Sequence, residues 1–242
     1  IDIHDDIIDQ SKTKDSRPTV LGKCGKDIAL LAGDALLFKG LTLLHEAVEK
    51  GIPAEKLSLI ISILKNMFFE LGDAEALELH FRGRLDVTPE EYLHVVRKKA
   101  ADVESYTRIS AILGGGTKEE IDTLGKYGRI LGMMAILRDD LTDMLDYEEA
   151  VHRITKECLP LPMLFTLQNS KVKAEMEAIL QKKTIKMKDA ETILEISDKT
   201  GGLEHFQKFM EELRGDAYSH VSNLRYNKNN LELLIDAMIM PL

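Results

Sequence analysis

The sequence predicts an all-α fold, a single-domain bundle of long helices. Apolar residues recur at spacings of three and four along most of the chain, which is the period of a helix with one buried face. Cap-like starts and glycine or proline stops bracket those runs. No sustained alternation of β-branched residues marks a strand. The 242 residues are 44% hydrophobic, 30% charged and 5% aromatic, which is enough apolar material for one large core or two small ones.

The chain opens IDIHDDIIDQ, partway into an amphipathic segment. Ile1 has no side chain to cap a helix, so a preceding element is expected. Residues 26–50 form a helix whose spacing puts Ile28, Leu31, Ala32, Ala35, Leu36 and Leu43 on the apolar face, with Gly51 and Pro53 ending it. A second helix runs from Ala54 towards Arg82. Leu57, Ile60, Ile61, Leu64, Phe68 and Leu71 make its first half apolar nearly all round, which predicts burial on several sides.

Thr88-Pro89-Glu90-Glu91 is a capping box with proline in the first turn, opening a helix that runs to Gly114-Gly115-Gly116. No strand precedes that triplet and no Gly-Lys-Ser/Thr follows it, so it reads as a helix stop rather than a phosphate loop. Thr117-Lys118-Glu119-Glu120 repeats the capping box and opens a long helix to about Asp146. Pro160 and Pro162 set the next boundary, and residues 172–182, 188–199, 203–224 and 231–240 carry further helical periods.

The 32 basic against 41 acidic residues give a net charge of −9, which argues against a nucleic-acid surface. The local cluster Lys182, Lys183, Lys186 and Lys188 reads as a solvated connector. Two distant cysteines, Cys24 and Cys158, read as core thiols and cannot form a thiolate metal site, so any metal would need oxygen ligands. No uninterrupted apolar run reaches the roughly 18–20 residues of a membrane span, and no signal peptide is recognisable, so a cytoplasmic location is expected.

Two segments carry the same acidic pattern: Asp5-Asp6-Ile7-Ile8-Asp9 and Asp139-Asp140-Leu141-Thr142-Asp143. Residues four apart share a helix face, so Asp5 with Asp9, and Asp139 with Asp143, each set two carboxylates side by side. Such pairs repel unless a cation stands between them. Mg²⁺ prefers hard oxygen ligands and takes one or two carboxylates, completed by water and substrate phosphate. A diphosphate is the natural guest of several such ions, and Lys14, Lys98, Lys99, Arg138 and Lys156 are candidate cations to hold it.

At these residues the chain resembles the trans-isoprenyl diphosphate synthase, or polyprenyl synthetase, family. His4-Asp5-Asp6-Ile7-Ile8-Asp9 is similar to its first aspartate motif, followed in the family's order by Arg17-Pro18-Thr19 and Gly33-Asp34-Ala35-Leu36-Leu37. Tyr92 through Lys99-Ala100-Ala101 resembles the helix carrying its Lys-Thr, Gly132 through Asp143 its second motif, and Lys156-Glu157-Cys158-Leu159-Pro160 its Lys-x-x-Leu-Pro. The resemblance implies an isoprenoid-synthase (class I terpenoid synthase) fold over residues 1–242, lacking its N-terminal helices, and a homodimer. It implies an enzyme that uses three Mg²⁺ ions to ionise an allylic prenyl diphosphate and condense it with isopentenyl diphosphate. Asp5, Asp9 and Asp139 would then be the leading metal ligands, supported by Asp6, Asp140 and Asp143. Lys14, Lys99 and Lys156 would hold the allylic diphosphate, Lys99 also counting as catalytic.

The chain departs from the family at Asp15, which replaces an arginine, at Ala135-Ile136, which replace Phe-Gln, and at Gly83-Arg84-Leu85-Asp86 and Lys99-Ala100. These departures leave two further readings: an enzyme that ionises the allylic diphosphate but uses another acceptor or cyclises the chain, and a non-catalytic partner subunit.

Overall fold

The computed structural model describes residues 1–14 and 17–239. Asp15 therefore lies outside the described residues, as does Met240 at the end of the last expected helix. The fold is all-α, as the sequence predicts. Its elements in chain order are α1 (Asp2–Ile8), β1 (Thr13–Lys14), β2 (Arg17–Pro18), α2 (Val20–Cys24), α3 (Lys26–Glu49), α4 (Ala54–Phe81) and α5 (Pro89–Lys99). They continue with α6 (Ala101–Leu113), α7 (Lys118–Leu145), α8 (Tyr147–Lys156), α9 (Leu161–Leu167), α10 (Lys173–Leu180), α11 (Met187–Lys199), α12 (Gly202–Ser222) and α13 (Asn229–Ala237). The chain divides into two compact units, Ile1–Ile61 and Ser62–Leu242.

In the first unit α1 lies on α3 because Gly33 leaves room for a ring. A β-carbon at Gly33 would stand 2.7 Å from His4 Cε1, and His4 Nε2 sits 3.0 Å from Asp34 Oδ1. After α1 the chain turns through Gln10 in a left-handed conformation. Thr19 then closes the segment: its hydroxyl donates to the Ser11 carbonyl (2.7 Å) and caps α2 by accepting from the Gly22 amide (3.0 Å). The two-residue strands between pair antiparallel, Thr13 opposite Pro18 and Lys14 opposite Arg17.

Three expectations are corrected here. The large apolar residues chosen for the inner face of α3 are exposed, with Leu31 at 65%, Leu36 at 62% and Ile28 and Leu43 at 52%, while the buried residues are Ala29 and Gly33. Small residues permit the closest approach, so the side facing the rest of the unit is the small one, and a periodicity read from large apolar residues picks the opposite side. Of the apolar residues expected to be covered along the first half of α4, Ile60 and Leu71 are buried, whereas Ile61 and its neighbour Leu59 are open to solvent. An apolar pattern states a need for cover without naming what supplies it. Cys24 is likewise exposed, at the end of the five-residue α2, which buries nothing.

Among the described residues α3 alone is long and apolar enough, by length and composition, to cross a membrane. It nevertheless carries Asp34 against His4 and Lys39 against Glu46 along its length, charges that a spanning helix holds only at a cost.

The second unit is built around α7. Tyr127, Leu131, Met133, Met134, Leu137, Leu141 and Met144 are buried along it, and α5, α6, α9 and α12 pack on it. Both capping boxes form: Thr88 accepts from Glu91 N at 3.1 Å and Thr117 from Glu120 N at 3.2 Å, each glutamate returning to the threonine amide at 2.8 Å. The helix expected over 88–114 is broken at Ala100, which ends α5 and begins α6. Ala100 is fully buried against Gly132, where a β-carbon would stand 2.9 Å from that of Ala100. Gly128 gives α6 the same access, since a β-carbon there would lie 2.8 Å from the Val103 carbonyl oxygen.

Candidate active site

The first aspartate motif is α1 itself. The Asp9 amide donates to the Asp5 carbonyl at 2.9 Å, so the helical register holds and Asp5 and Asp9 share a face as expected. Asp9 is buried and Asp5 and Asp6 are half-buried. The Asp5 Oδ1 atom is shut off from solvent and has no hydrogen-bond partner. Burial raises the Asp6 carboxyl above its ordinary range, Lys14 pulls it back, and the charges of Asp5 and Asp2 push it further up. Crowded carboxylates with an orphaned oxygen are a donor set short of positive charge, which is what a hard divalent cation supplies. Among the described residues no three His, Cys, Asp or Glu side chains converge into a complete cation cage. The residues fit a metal whose coordination is finished by phosphate and water.

The second motif ends α7, and its three aspartates part company. Asp139 is 71% exposed, with Arg138 Nε 4.0 Å from its Oδ1. Asp140, expected among the metal ligands, turns inward and is 1% exposed. Its Oδ2 accepts the Tyr92 hydroxyl and its Oδ1 takes Arg153 Nη1 at 2.8 Å. Burial pushes the Asp140 carboxyl up to about 6, against the pull of Arg153 and Tyr92. Burial and the facing Asp140 raise the Tyr92 phenol, which keeps it protonated and donating. Asp143 is half-exposed and accepts Arg153 Nη2 at 2.9 Å and Nε at 3.2 Å. Arg153, on α8, is the partner of this motif that the sequence reading missed. No helical spacing links it to Asp140; the available signal was three acids within five residues with only Arg138 beside them.

The lysines differ in the same way. Lys14 stands on the ribbon opposite Arg17, both exposed. Lys99, at the end of α5, pairs with Glu78 and, at 3.0 Å, with Glu75, both on α4. Lys98 is 2.5 Å from Asp73, and Arg138 donates to the Ala237 carbonyl at 2.9 Å. Lys156 is the exposed last residue of α8. Where the resembled family has Gly-Gln-x-x-Asp, Arg84 makes a bidentate pair with Asp86, both bonds at 2.9 Å.

The polyprenyl synthetase family model matches residues 3–197, taking in both aspartate motifs. The chain belongs to the polyprenyl synthetase family. It is 35% identical over 150 residues to a short chain isoprenyl diphosphate synthase of Methanothermobacter thermautotrophicus, a match covering 62% of this chain and 45% of that protein. It thus spans about half the length of such relatives. Among solved structures, a geranylgeranyl pyrophosphate synthetase from Pyrococcus horikoshii superimposes with a TM-score of 0.86 at 25% identity, over 99% of this chain and 75% of that one. A polyprenyl synthase from Caulobacter crescentus, complexed with calcium and isoprenyl diphosphate, shares the fold with a TM-score of 0.81 at 20% identity, over 98% of this chain and 73% of that one.

Proposed function

We propose that this chain is the catalytic core of a Mg²⁺-dependent trans-prenyltransferase that ionises an allylic prenyl diphosphate and condenses it with isopentenyl diphosphate. The observation that carries the reading is the pair of aspartate motifs within the family match, one holding an unpartnered Asp5 oxygen and the other presenting Asp139 to solvent. Residues 1–242 are read as one isoprenoid-synthase domain, since the family match crosses both compact units. Asp5, Asp6, Asp9, Asp139 and Asp143 would hold the ions, three of them by family resemblance, and Asp140 is not among the ligands. When bound, Mg²⁺ neutralises and clamps the diphosphate so that it can leave.

Lys14, Lys99 and Lys156 hold the allylic diphosphate as point charges. Lys99 is neutralised by Glu75 and Glu78, so its engagement requires those carboxylates to release it. Arg17, exposed opposite Lys14 on the ribbon, is a cation available to a second diphosphate as the acceptor. No protein nucleophile is required: catalysis is electrostatic stabilisation of a leaving anion in a site that keeps water from the cation. A cytoplasmic location and a homodimer complete the reading.

The test is Asp5→Asn and Asp139→Asn, assayed with Mg²⁺, a series of allylic diphosphates, and isopentenyl diphosphate present or omitted. Each substitution is expected to lower turnover at least about 100-fold, the scale of losing one electrostatic stabiliser of the transition state, with helicity by circular dichroism unchanged. Products longer by five-carbon units should appear only with isopentenyl diphosphate. Diphosphate release without it would replace this reading with a cyclase or another acceptor.

A further inference from the structure

We propose that Arg153 is a positioning residue of the second aspartate motif: it withdraws Asp140 from cation binding and orients Asp143, leaving Asp139 as the carboxylate presented outward. This rests on the prenyltransferase reading above and adds a role that the aspartate pattern does not contain. A guanidinium offers five N–H donors in a rigid fork and can serve several carboxylates at once. Here it serves three. Nη1 lies 2.8 Å from Asp140 Oδ1 and 3.5 Å from Glu157 Oε2, while Nη2 and Nε reach Asp143 Oδ2 at 2.9 and 3.2 Å.

The Arg153 side chain is only 13% exposed, so these bonds form largely out of water, where they are strong and costly to break. Asp140 has both oxygens engaged, one by Arg153 and one by the Tyr92 hydroxyl. A cation reaching Asp140 would have to displace both partners and enter the core. Its neighbour Asp139 is 71% exposed one residue away. The motif is therefore divided: Asp140 fastens the end of α7 to α5 and α8, Asp143 is aimed by the same guanidinium, and Asp139 is left outside. Hydrogen-bonded partners that aim a metal ligand typically change metal affinity about 10–100-fold when removed.

The experiment titrates Mg²⁺ into the full chain by calorimetry in the presence of inorganic diphosphate, with a thermal melt of every variant. The variants are Asp139→Asn, Asp140→Asn, Arg153→Lys and the double substitution Arg153→Met with Asp140→Asn. The double variant removes a buried charge together with its partner, so it is expected to fold and yet bind Mg²⁺ about 10–100-fold more weakly, because Asp143 has lost its anchor. Asp140→Asn is expected to bind Mg²⁺ like the parent, and Arg153→Lys to lose affinity because an ammonium cannot span both aspartates. Parental Mg²⁺ affinity in the double variant, or in a folded Arg153→Lys if the double variant does not fold, would reduce Arg153 to a structural ion pair and overturn the proposal. An Asp140→Asn loss as large as that of Asp139→Asn would make Asp140 a ligand and overturn it too. A parent chain that takes up no Mg²⁺ with diphosphate overturns the prenyltransferase reading itself, an outcome distinct from a responsive parent with indifferent variants.

Discussion

Asp139 and Asp140 are adjacent, and a turn of about 100° along α7 sends one to water and the other into the core. That difference decides which carboxylate can meet a cation, and it depends on Tyr92 and Arg153, which lie 48 and 13 positions from Asp140 in the chain. The two cysteines separate in the same manner. Cys158 is 1% exposed and burial pushes its thiol up to about 12, whereas Cys24 is exposed. Only thiolate reacts readily with iodoacetamide. Mass spectrometry at pH 8 should therefore find one alkylated cysteine, Cys24, in the native chain and two after unfolding in urea; rapid native labelling of Cys158 would contradict its burial.

Elements with strong local signals were legible. Both capping boxes formed where Thr88 and Thr117 announced them, because a cap is a contract between residues three apart and needs no partner from elsewhere. The break at Ala100 was not legible, since Lys99-Ala100-Ala101 contains no glycine or proline. It sits under Gly132, and Gly125, Gly128 and Gly132 together let α6 and the α5–α6 junction approach α7 more closely than any side chain would allow. Gly128→Val should force the Val103 and Glu104 backbone away and destabilise the chain by about 1–3 kcal/mol. A urea-denaturation midpoint unchanged from the parent would show that α6 is not held this closely.

For the whole molecule the large feature is the apolar, exposed side of α3, with Leu31, Leu36 and Phe38 between 62% and 70% accessible. Exposed apolar surface on this scale marks an interaction site, and a second copy of the chain is the occupant consistent with the homodimer proposed above. Sedimentation velocity is expected to give a dimer for the parent and a monomer for Leu31→Glu combined with Phe38→Glu, with helicity retained. A parent that sediments as a monomer at micromolar concentration removes the dimer from the functional reading.

The sequence by itself determined the helical class, the long helices with their caps and stops, and the two acidic motifs. Each of these is written in spacings of three, four or a few residues, over which covalent geometry fixes what shares a face. The tertiary structure alone decided which side of α3 is covered, that Lys99 is held by Glu75 and Glu78 of α4, and that Arg153 divides the second motif. Those outcomes depend on which helices pack together, and a buried charge accepts whatever partner that packing delivers because leaving it unpaired costs more than any local preference.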